Sequence, residues 1–69
     1  MRTYIVLTTP VMLRDAYIER IENIGDRLIP ILTYDSLKAK KFRSVSSALK
    51  LASAIHYHTL RSFYVSWVR

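Results

Sequence analysis

Residues 44–57, SVSSALKLASAIHY, carry the clearest amphipathic period in the chain. At about 100° per residue, Val45, Ala48, Leu49, Leu51, Ala52 and Ile55 share one arc, while Ser46, Lys50, Ser53 and Tyr57 share another. That spacing predicts a helix whose alanine-rich side lies close to a sheet, with Ser44 as N-cap because its hydroxyl can accept a main-chain N–H of the first turn. His58 and Thr59 close it without a glycine. The period then changes to two over residues 61–69: Phe63, Val65 and Trp67 fall on one side and Ser62, Tyr64, Ser66 and Val68 on the other. This is the best strand pattern in the chain, and its Phe-Val-Trp side is expected to pack under the helix. Tyr64, on the other side, suits an interface. At the other end, TYIVLTT (3–9) is β-branched or aromatic at most positions and reads as a central strand, which Pro10 ends or bulges.

The middle is less decided. Over residues 11–24 a helical stripe joins Leu13, Tyr17, Ile21 and Ile24, with Thr9 as N-cap, Pro10 at the first helical position and Gly25 just past the end. The same residues also alternate as strands, Ala16, Ile18 and Arg20 against Tyr17, Glu19 and Ile21, with turn chemistry at residues 22–26. Periodicity favours the helix slightly. RLIPILTY (27–34) is a strand, and Pro30 inside it makes it an edge or bulged strand. Residues 34–36 turn the chain, and residues 37–43 form a basic connector with room for one helical turn.

Length sharpens this picture. The 69 residues form one domain, 1–69, and a domain of this size buries only about 60% of the surface its unfolded chain exposes. With no cysteine there is no crosslink to offset that, and thiol catalysis and cysteine-ligated zinc are excluded. Yet 51% of the residues are hydrophobic and only one is glycine, so surplus apolar surface is expected to face another molecule, a second copy being one candidate. The N-terminal apolar run is broken by Thr8-Thr9-Pro10 and lacks a small-residue cleavage site, so it reads as structure. No stretch approaches the roughly 18 apolar residues of a membrane span. A cytoplasmic protein is expected.

Charge divides the chain in two. Residues 1–35 hold Arg2, Arg14, Arg20 and Arg27 against Asp15, Glu19, Glu22, Asp26 and Asp35, a net −1. Residues 36–69 hold Lys38, Lys40, Lys41, Arg43, Lys50, Arg61 and Arg69 with no acid, a net +7. Such asymmetry points to an anionic partner. Lys38, Lys40, Lys41 and Arg43 precede the helix start, where free N–H groups and the macrodipole favour anions. Lys50 and Tyr57 would extend the track along the helix, and Tyr57 could stack on an unpaired base. The plain alternative is a solvated face that keeps an apolar protein in solution. His56 and His58 point in nearly opposite directions on a helix and have no neighbouring acid, so no metal site is expected; His56 falls in the apolar arc as a boundary residue. No nucleophile elbow, carboxylate pair or glycine-rich phosphate loop is present, so neither an enzyme nor a cofactor is expected.

Thr33-x-Asp35, Ala39-x-x-Phe42, Ser44 and Ala48 make a pattern, T-x-D-x3-A-x2-F-x-S-x3-A, that resembles a group of small phage-encoded proteins of unknown function. The similarity covers roughly residues 15–55. It implies an N-terminal β-meander running into one helix and a last strand, makes residues 15–33 a hairpin, and turns Ala39 and Phe42 inward as anchors, which leaves the connector's cations facing solvent. The expected fold is α+β, in the order β-β-β-α-β, with βαβαβ and an extra helix at 10–24 as the alternative. A right-handed crossover would lay the last strand beside the first. The expected function is a non-catalytic binding protein of phage type, acting in the host cytoplasm on a host protein or nucleoprotein complex, with an anti-defence inhibitor of the anti-CRISPR kind as its sharpest form. Direct DNA or RNA binding and a homodimeric structural module are the alternatives.

Overall fold

A computed structural model of the chain describes residues 3–69. Strands β1 (Tyr4–Val11), β2 (Arg14–Ile24) and β3 (Arg27–Thr33) form a meander; a single 3-10 turn (Ser36–Lys38) and a connector lead into α1 (Val45–Thr59), and β4 (Tyr64–Val68) closes the chain. The sheet order is β3-β2-β1-β4, antiparallel throughout. This is the β-β-β-α-β fold; residues 10–24 are not a helix. β4 lies beside β1, as expected, but runs antiparallel to it. The handedness rule for parallel crossovers therefore had no hold here, and position alone was foreseen.

The strand residues suit their places. β1 runs through Pro10 to Val11 without a bulge. The Ile5 carbonyl accepts the Phe42 N–H at 2.9 Å, on the side away from β4. Main-chain groups alternate sides along a strand, so Pro10 turns its missing donor toward β4, whose pairing has already stopped at Thr8–Tyr64. No ladder bond is lost there. The β2–β3 turn is Gly25-Asp26, with Gly25 at φ 65 as the first central residue of a two-residue hairpin. β2 carries a bulge: Ile18 pairs with Leu32 and Arg20 with Ile31, leaving Glu19 extra. The bulge shifts the side-chain alternation by one, so Ile18 and Ile21, three apart, both face the core.

Leu7, Ile18, Ala48, Ala52, Ile55 and Phe63 form that core between sheet and helix, with Ile5, Ile21, Leu32, Phe42, Leu51 and Val65 packed around it. Ala39 is buried as well, and Phe42 is half-buried. The connector does more than cover. The β1–β2 ladder stops at Thr8–Tyr17, and beyond it the Lys40 N–H donates to the Ile18 carbonyl at 2.7 Å while the Phe42 N–H donates to Ile5. The connector thus fills the gap where the two strands part. Ser44 caps α1, its Oγ accepting from the Ser47 N–H at 3.1 Å. Ser44→Ala should therefore cost about 1 kcal/mol, read as a lower urea midpoint at unchanged slope. The helix runs two residues beyond Tyr57 and ends where Leu60 turns left-handed at φ 60.

Candidate functional site

α1 buries a narrower stripe than its apolar arc offers. Ala48 and Ile55 are fully buried and Ala52 nearly so, whereas Val45 is 38% and Leu49 51% exposed. On the helical wheel Val45, Leu49 and His56 lie about 60–100° to one side of Ala48, and His56 is exposed, not a boundary residue. The helix is rolled so that this shoulder overhangs the β4 side of the sheet. There Leu49, Ala52, Ser53 and His56 face Ser62 and Phe63 across a shallow, mostly apolar groove. A second hollow, lined by Val45, Ser46, Leu49, Lys50 and Ser53, continues it toward the helix start. The shared Leu49 and Ser53 make the two one strip along the outer flank of α1.

β4 adds to the exposed apolar surface. Phe63 is buried, and Val65 packs on the core. Trp67, expected beneath the helix with them, is 56% exposed. On β4, the edge strand, it is paired with Ile5 and has no further strand beyond it. Tyr64 is 59% exposed on the opposite face.

The basic residues are distributed differently from a single cluster. Lys38 ends the 3-10 turn and is exposed, as is Arg43 just before the cap. The Lys41 Nζ donates to the Leu37 and Ala39 carbonyls at 3.3 and 3.2 Å and lies 5.3 Å from the Tyr4 ring centre. The Lys40 Nζ lies 5.8 Å from the Phe42 ring. Two of the four connector cations are thus folded onto their own surroundings, while Lys38 and Arg43 point to solvent. The helix N-terminus is also partly occupied, since Ser44 Oγ takes the Ser47 N–H. Lys50 is exposed in the strip, and Tyr57 is 82% exposed two turns further on, edge-on to His58 at 5.4 Å. From Arg43 to Tyr57 the track extends about 20 Å along the helix axis. One small anion cannot touch both ends; an extended polyanion or a protein surface can.

Negative charge is held elsewhere. Asp15, Glu19 and Glu22 lie on β2, Asp26 in the β2–β3 turn, and Asp35 caps the 3-10 turn by accepting the Leu37 N–H at 2.9 Å. Glu19 and Glu22 both pair with Arg20. Among the described residues no three of His, Cys, Asp and Glu gather where they could hold a metal ion, and no helix is long and apolar enough to cross a membrane. Sequence periodicity foresaw the Lys50–Tyr57 face but assigned Val45, Leu49 and Trp67 to the core. The signal it passed over is the width of the helical arc, which exceeds what a stripe centred on Ala48, Ala52 and Ile55 can bury. Compared with protein-family models, curated proteins and solved structures, the chain matches none.

Proposed function

We propose that this chain is a small non-catalytic binding protein of phage or mobile-element type that acts in the cytoplasm of the host cell by occluding a host protein or nucleoprotein complex. An anti-defence inhibitor, of the anti-CRISPR kind, is the sharpest form of that reading. One observation carries it: α1 leaves Val45 and Leu49 exposed beside Lys50 along a groove floored by Ala52 and Phe63. A single exposed leucine would be ordinary; Val45 and Leu49 together line one continuous apolar strip. Apolar side chains beside a cation suit a partner surface that is apolar at its centre and acidic or phosphate-bearing at its rim. Lys50 supplies the cation within the strip, while Lys38, Arg43 and Tyr57 are exposed outside its lining.

Capture from nuclease-treated host lysate on the immobilised protein tests this. Wild type should retain a discrete protein that Leu49→Glu does not, because a carboxylate placed in the groove would be buried without a partner on binding. Equal retention by both would overturn the reading.

The acid-free half of the chain favours one further reading, direct binding of DNA or RNA through Lys38, Lys40, Lys41, Arg43, Lys50 and Tyr57. Binding of a labelled oligonucleotide, followed by anisotropy, should then weaken steeply as salt rises and be lost in the Lys40→Ala, Lys41→Ala, Arg43→Ala triple variant. Salt-insensitive or absent binding removes this reading.

A further inference from the structure

The two edges of the sheet are unlike. β3 has Pro30 in its middle and faces the bulged stretch of β2, devices that blunt an edge against further pairing. β4, YVSWV, has neither proline, lysine nor bulge. Its free main-chain groups can be assigned. The Ile5 carbonyl bonds to Phe42, away from β4, so the Ile5–Trp67 pair is one of the non-hydrogen-bonded pairs of the β1–β4 ladder. Trp67, and by alternation Val65, therefore turn N–H and C=O outward to the open edge. The Tyr64 carbonyl, by contrast, is within 3.4 Å of Thr8 Oγ1 on β1, as that alternation requires.

We propose that β4 pairs antiparallel with β4 of a second copy about a two-fold axis at Ser66, joining two sheets into one of eight strands. The residue pattern is complementary to itself in this register. Val65 meets Trp67 of the partner subunit, outward group to outward group, twice over by symmetry, and these become the hydrogen-bonded pairs. Tyr64 meets Val68 on the opposite face, and the two Ser66 residues meet on the axis. Each half-exposed aromatic, Trp67 at 56% and Tyr64 at 59%, thereby gains a β-branched cross-strand neighbour. A two-fold axis perpendicular to the sheet keeps both helices on one side, so the two α1–β4 grooves open side by side. This pairing does not depend on what the groove binds.

Sedimentation equilibrium of the full chain up to about millimolar concentration is the test, since loss of two symmetric main-chain bonds is worth roughly thirtyfold in affinity. Wild type should approach twice the chain's 8.1 kDa. Trp67→Pro removes an N–H that the β1–β4 ladder does not use, so it should keep the far-UV spectrum of the fold and raise the dimer dissociation constant at least about thirtyfold. Hydrogen exchange on wild type gives a reading independent of any variant: Val65 and Trp67 amides should become at least about tenfold slower on raising protein concentration, while Tyr64, Ser66 and Val68 change little beyond their β1 protection. A monomer at all concentrations, a dimer that Trp67→Pro leaves unchanged, or uniform exchange along β4 would each overturn the pairing.

Discussion

Ile55→Ala should destabilise the domain by about 3 kcal/mol, while Leu49→Ala, six positions earlier on the same helix, should cost under about 1 kcal/mol. Ile55 is fully buried among Leu7, Ile18, Ala48, Ala52 and Phe63, so truncation removes its transfer energy and leaves a cavity that the sheet cannot close. Leu49 is 51% exposed and has less to lose. Domains of this length are stable by only about 3–10 kcal/mol, so the first variant should be partly unfolded under mild conditions and the second close to wild type. Urea denaturation read by the single tryptophan checks the pair. Equal losses would mean that α1 is rolled the other way and that the groove beside β4 is filled.

Lys40→Pro should cost about 2–3 kcal/mol, and Lys40→Ala close to nothing. The Lys40 N–H reaches the Ile18 carbonyl at 2.7 Å where β1 and β2 have parted, and Ile18 is 1% exposed. Removing that donor leaves a buried carbonyl without its partner. Ala39 already sits at φ −64, ψ 138, the region that a following proline permits, so the preceding residue adds no clash. The side chain, in contrast, is exposed. Thermal unfolding of the two variants separates the structural main chain of the connector from the charge it carries; a costly alanine and a harmless proline would reverse that division.

The terminal thirds of the fold were legible because their periods were undisturbed. Ser44, Ala48, Ala52 and Ile55 marked a helix and its cap, and Val65 and Trp67 a strand, which at Tyr64–Val68 is shorter than the alternation over 61–69 and leaves Phe63 just ahead of it. The middle was not, for a physical reason. Glu19 is an extra residue in β2 and breaks the two-residue alternation there, while Tyr17 and Ile21, neighbours on the helical stripe, fall on opposite faces of the strand. The supposed caps serve the sheet instead: Thr9 is a buried position of β1 and Gly25 a hairpin corner. Leu13 sits fully exposed in the β1–β2 turn. Anchoring by Ala39 and Phe42 followed the resemblance and has its cause in the gap between β1 and β2. The width of the helical arc shows that some apolar residues of α1 stay exposed, but only the roll of the helix decides that these are Val45 and Leu49.

That roll divides α1 into a side that folds the protein and an exposed flank, the surface proposed for binding. The most direct test is the affinity of the partner captured from lysate for two variants measured in parallel. Leu49→Glu with Lys50→Glu, on the flank, should weaken binding at least about a hundredfold, as central contact residues do. Lys40→Ala with Lys41→Ala, whose ammonium groups lie against Phe42 and Tyr4, should change it less than about threefold. The opposite order, binding lost with the connector lysines and kept with the flank pair, would contradict a recognition surface on α1 and return the site to the basic connector.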